Sequence, residues 1–161
     1  MIMDGGTVYV EAIDGTRAQQ WALANESDEY RPAFSPGGEW IASVSERTGS
    51  PEIFVQAYPE RGPIHPISTD DGTVPRWSGD DRELFDRSGR RMMAVTIDTE
   101  PEFKADLPRM LFQTDFEWDG FDVASDGRFL IMRAPDGQRR SQIRVILNWA
   151  EEVKRLVPTG R

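Results

Sequence analysis

Three segments of the chain carry the same turn between the same pair of apolar runs. They read RPAFSPGGEWIASVS from Arg31, VPRWSGDDRELFDRS from Val74 and GFDVASDGRFLIMRA from Gly120. With Gly37-Gly38, Asp80-Asp81 and Asp126-Gly127 in register, the spacings are 43 and 46 residues. Gly and Asp suit these positions because tight turns between strands need a left-handed backbone, which both tolerate. A third apolar run follows each pair: PEIFVQAY from Pro51, RMMAVTI from Arg91 and SQIRVILNW from Ser141. An earlier GTVYVEAI, from Gly6, lies 45 residues ahead of PEIFVQAY with no first or second strand before it. Fourth runs are weaker: AQQWALA from Ala18, GPIHPIS from Gly62 and PRMLFQT from Pro108. Proline inside or beside them marks an edge, where a missing ladder donor costs little.

Four antiparallel strands recurring every 40–50 residues or so predict the blades of a β-propeller. A sandwich of hairpins is the competing architecture, but it does not account for the matched register. The expected layout is a half blade over 1–30, blades over 31–73 and 74–119, a partial blade over 120–148, and a short amphipathic helix over 149–158. The fold class is therefore all-β, a partial ring of about three to four four-stranded blades with a short C-terminal helix. Fourteen Gly and 11 Pro punctuate it, and five Trp with eight Phe supply a core.

These residues carry a family resemblance. FSPGGEWIASVSERTGSPEIFVQAY resembles the TolB-type (WD-like) propeller repeat, in which Ser-Pro-Asp-Gly precedes an apolar strand and a Ser-x-Arg-x-Gly loop. Ser45-Glu46-Arg47-Thr48-Gly49 reproduces that loop. The run PRWSGDDRELFDRSGRRMMAVTI, with the later LFQT, FDVASDGRFLIM and VILNWAEEVKRLVP, is similar to the C-terminal end of propellers attached to bacterial serine/threonine kinases. Three positions depart from the pattern: Gly37 stands for the usual Asp, Asp81 for the usual Gly, and Ala124-Ser125 for Ser-Pro. The resemblance implies a rigid scaffold whose loop face binds a peptide, a protein or a small ligand.

Fewer than four blades leave a ring open, and open sheet edges invite pairing with other chains. Three resolutions follow: a piece of a longer propeller, a head-to-tail homodimer completing the ring, or a capped arc. In the homodimer, GTVYVEAI and AQQWALA complete a partner's FDVA and RFLIM pair, with SQIRVILNW competing for the third position.

Chemistry is sparse. His65 is the only histidine, and a Ser-His-Asp triad or a multi-histidine metal site would each depend on it. Pro63 and Pro66 place it in an edge strand or loop. There is no nucleophile elbow, Walker loop or kinase catalytic segment, and without cysteine there is no thiolate metal site or disulfide. The chain is expected to be non-enzymatic, with no cofactor and no metal. A net charge of −9 argues against nucleic acid, and no run is long and apolar enough for direct membrane insertion. The N-terminus shows no basic n-region or apolar h-region, so no signal peptide is read, and the compartment stays open.

One pattern rises above scatter. The loops leading into each blade are acidic, with Asp28 and Glu29, then Asp70 and Asp71, then Asp115, Glu117 and Asp119. The loops between second and third strands are basic: Arg47, then Arg87, Arg90 and Arg91. In a propeller both sets share one face and partly neutralise one another. Asp28, Glu29, Arg47, Asp70, Asp71, Arg87, Arg90, Asp115, Glu117 and Asp119 are the candidate interaction residues, for a protein or peptide partner. Solvated loops and a cation site on the acidic loops remain the other readings, as does an accessory role beside an enzyme, as a kinase sensor or a peptidase gate. Trp40, Trp77 and Trp118 are expected to fill the wedges between blades.

Overall fold

A computed structural model describes residues 8–10, 19–21 and 28–133, and every regular element among them is a strand. In chain order these are β1 (Val8–Val10), β2 (Gln19–Trp21), β3 (Glu29–Phe34), β4 (Trp40–Ser45), β5 (Glu52–Ala57), β6 (His65–Pro66), β7 (Gly72–Trp77) and β8 (Glu83–Ser88). Then come β9 (Arg91–Asp98), β10 (Lys104–Ala105), β11 (Arg109–Gln113), β12 (Trp118–Val123) and β13 (Phe129–Arg133). The expected third strand from Ser141 and the helix over 149–158 lie outside the described residues. No helix among the described residues is long and apolar enough to cross a membrane.

The described strands form four antiparallel sheets. One runs β3-β4-β5-β6 and the next β7-β8-β9, while β1-β2 and β12-β13 are two-stranded. Strand β9 is eight residues long and takes two outer partners: β11 pairs its first half and β10 its last two residues. Only the segment at Pro108 was expected there; the length of β9 makes room for the other.

The repeated turns close in one way. Gly38, Asp81 and Gly127 all have positive φ, at 76°, 62° and 81°. Their amides donate to the carbonyls of Ser35 (2.8 Å), Ser78 (3.2 Å) and Ala124 (2.9 Å). The hydroxyls of Ser35 and Ser78 also accept from Trp40 N (3.2 Å) and Glu83 N (2.9 Å). Ala124 has no hydroxyl, and its turn closes one residue earlier, on the Arg128 carbonyl at 2.9 Å. The inner strands repeat too. β3 and β7 each bulge before a proline, with Arg31 and Val74 in the left-handed region at φ 53° and 57°.

Side-chain alternation then divides each sheet between two cores. Ile41 of β4 packs with Val8 of β1, whereas Ala42 and Val44 join Ile53, Val55, Leu84, Val95 and Ile97 between the two large sheets. From the second large sheet, Leu84 and Val95 face back, while Phe85, Met92 and Ala94 face forward onto Trp118 and Phe121. Sheets that bury both faces against neighbours are blades in a stack rather than halves of a sandwich. The tryptophans lie in these wedges: Trp77 and Trp118 are buried, and Trp40 packs against the edge of the core beside Phe103.

Two of the departures from the repeat face each other across sheets. The Gly37 amide donates to Asp81 Oδ2 at 2.9 Å, and a Cβ at position 37 would lie 2.8 Å from that oxygen. The usual Asp at 37 would crowd and repel Asp81, so Gly37 and Asp81 form a matched exchange. Gly37→Asp alone is expected to destabilise by about 1–2 kcal/mol, from crowding and like charge. Adding Asp81→Gly, which also removes a left-handed non-glycine, should recover most of that loss in urea melts. Additive effects of the two substitutions would contradict the pairing.

Candidate functional site

Register fixes which loops share a face. Glu29 pairs with Ser45, Gly72 with Ser88 and Trp118 with Arg133. The starts of the inner strands β3, β7 and β12 therefore lie beside the ends of their second strands, and the acidic and basic segments meet at one end of the sheets.

They meet as pairs of two kinds. Arg47 is held deep: its guanidinium bonds Glu29 Oε1 at 2.9 Å and Ser45 Oγ at 3.3 Å, and lies 4.4 Å from the centre of the Phe54 ring. Glu29 is buried there as the first residue of β3, so this pair holds the blade together rather than facing solvent. The other pairs are exposed. Arg91, at the start of β9, bonds Asp70 at 2.6 Å and Ser88 Oγ at 3.0 Å. Arg90 reaches Glu117 at 3.4 Å, across to the loop before β12. An Arg90 NH also lies 3.5 Å from the Asp115 carbonyl.

Not every expected residue is a loop residue. Arg87 belongs to β8, opposite Thr73 on β7, where it bonds the Gly89 carbonyl at 2.8 Å and lies over Trp118. Its strand runs on to Ser88. Asp119 likewise belongs to β12, where it is exposed. Asp71 is exposed with φ 56°, and Asp28 is half-buried. Asp71 and Asp119 have no salt bridge among the described residues. No three of His, Cys, Asp and Glu among the described residues gather as a metal-holding group.

His65 sits in β6 opposite Val55, with its ring stacked at 4.2 Å on Phe103 and Trp40 beyond. Burial lowers its pKa, which keeps the ring neutral and apolar in use. At the other end of the second large sheet, an open cleft of about 570 Å³ is lined by Asp80, Asp81, Arg82, Thr96, Asp98 and Glu100, among others. The Ser78 hydroxyl and then the Arg82 amide hold the Asp80 carboxyl below its ordinary value.

A buried polar group beneath the loop face went unseen in the sequence. Asp86 of β8 is 1% exposed, and neither carboxylate oxygen has a hydrogen-bond partner. Glu52 is also buried, and its Oε2 accepts from the Ser68 hydroxyl, which in turn accepts from Ile53 N at 2.8 Å. Gly72 makes the close approach possible: a Cβ there would lie 2.2 Å from Ser68 Oγ and 3.2 Å from Asp86 Oδ2. The one signal available was a carboxylate directly after the apolar pair Leu84-Phe85.

Burial, and then the charge of Glu52, push the Asp86 carboxyl up to about 7 from 3.8. Between those values the folded chain holds a proton that the unfolded chain has lost. The contribution of Asp86 to stability therefore falls as pH rises from about 4 to 7 and then levels off. Asp86→Asn removes the ionisation, so the variant should exceed the parent at pH 8 by about 2 kcal/mol or more and match it near pH 4. Urea unfolding at pH 4, 6 and 8 checks this; a constant difference across pH would contradict it.

No family model matches the chain, and no curated protein matches it. Among solved structures, one assigned to TolB from Agrobacterium tumefaciens is similar, with a TM-score of 0.58 at 16% identity. The match covers 80% of this chain and 50% of that one, so the chain spans about half the length of that structure. Stacked antiparallel sheets, repeated left-handed turns and this similarity together establish a TolB-like β-propeller fold, present as a partial ring.

Proposed function

We propose that the chain is a non-enzymatic binding scaffold that takes a protein or peptide on the face where the loops before β3, β7 and β12 meet those after β4 and β8. A TolB-like propeller fold suggests a protein-binding scaffold, and the charge arrangement on this face supports where the partner lies. The carrying observation is the contrast between one buried pair and the exposed ones. Glu29 is buried and Arg47 largely covered, while Arg90, Asp70 and Glu117 are solvent-exposed and Arg91 is half-exposed.

Exposed ion pairs contribute only about 0–1 kcal/mol each. They open at little cost, and their charges are free to pair with complementary groups on a polypeptide of mixed charge. Asp71 and Asp119 add further acceptors beside them. Such a surface governs association rate and partner choice more than raw affinity. The structural use of His65, stacked on Phe103, supports the non-enzymatic half of the reading.

The test compares the parent with Arg90→Glu/Arg91→Glu by affinity capture from extract of the source cells. A protein held by the parent should be lost about tenfold or more from the variant and also released by added salt, with melting temperature nearly unchanged. Equal retention by both chains would contradict the assignment of this face.

A further inference from the structure

The three repeats place equivalent residues at equivalent positions, and two of these positions change character at the ends of the arc. Ladder partners equate Phe34, Trp77 and Val123, which pair with Ile41, Leu84 and Phe129. The same register equates Ala42, Phe85 and Leu130, which pair with Ala33, Arg76 and Asp122.

The first set faces the preceding sheet and the second the following one. Trp77 and Ala42 meet in the core between the two large sheets, and Val123 and Phe85 meet in the core between the second large sheet and β12-β13. Ala42 and Phe85 are accordingly 0% and 5% exposed, yet Leu130 is 75% exposed and Met132, two residues on, is 61% exposed. Trp77 is 7% exposed, yet Phe34 is 47% exposed. The sheet β1-β2 packs Val8 and Val10 against Ile41 and Tyr58 and leaves Phe34 open. Leu130 thus lacks the kind of residue that Phe34 is, and Phe34 lacks the kind that Leu130 is.

We propose that the exposed face of β12-β13, at Leu130 and Met132, seats against Phe34 beside β1-β2 of a second copy of this chain. The contact continues an interface that the chain already makes twice within itself, with the same residue positions on each side. It is head-to-tail, so it needs a closed ring to be finite. Two copies close it when each supplies half the turn. Burying Leu130, Met132 and Phe34 removes large apolar side chains from water at both junctions.

Two measurements test the docking. By size exclusion with light scattering, the parent should have about twice the monomer mass of 18.3 kDa. Leu130→Asp/Met132→Asp, at exposed positions that leave the fold intact, should return the mass to that of the monomer with secondary structure unchanged. The absence of native cysteine permits a second readout. Packed sheets lie about 10 Å apart, so a thiol-specific linker of about that length should join Phe34→Cys chains to Leu130→Cys chains when mixed. Either variant alone should give little product. A monomeric parent at about 100 μM, an open-ended polymer, or no linkage in the mixture would each overturn the proposal.

Discussion

Everything in this fold depends on strands that serve two cores at once. In β8, Leu84 faces the first large sheet and Phe85 faces β12-β13, so neither side of the strand is a solvent face. That demand explains why β4, β5, β8 and β9 carry apolar residues at neighbouring positions, and so on both faces. It explains as well why a charge inside such a strand is costly. Asp86 occupies a core position between two sheets, and its carboxyl rises to about 7 for that reason. The loop face escapes this constraint, and the exposed charges gather there.

Much of the architecture was legible because turn chemistry is local. A backbone that turns left-handed at Gly38, Asp81 and Gly127 must use residues that tolerate it, and their spacing revealed the repeat. The edge position of His65 and the wedge positions of the tryptophans followed from proline placement and from size. The exchange between Gly37 and Asp81 was visible only as two separate irregularities. Their contact spans 44 residues, a separation that no local pattern reports.

The shared face of the candidate loops was legible in outline, and the roles of its residues less so. Charge alternation located the face, but not which charges it commits. Arg47 and Glu29 look like Arg91 and Asp70 in sequence, yet Phe54 and Ser45 cover the first pair and the second is largely open to solvent. Arg87 counts with the basic loop in the sequence, whereas it belongs to β8 and lies over the Trp118 ring. Glu52, Ser68 and Asp86 come from three different segments, and only the close approach allowed by Gly72 assembles them.

Methyl and aromatic proton contacts in solution test the central claim most directly, since they separate stacked blades from a two-sheet sandwich. The Leu84 methyls should show cross-peaks to the core of Val44, Val55 and Ile97, and the Phe85 ring to Phe129, whose centroid lies 5.0 Å away, and to Phe121. Neighbouring residues of one strand would then report two separate cores. Contacts from only one of the two, with the other facing water, would contradict the propeller stack.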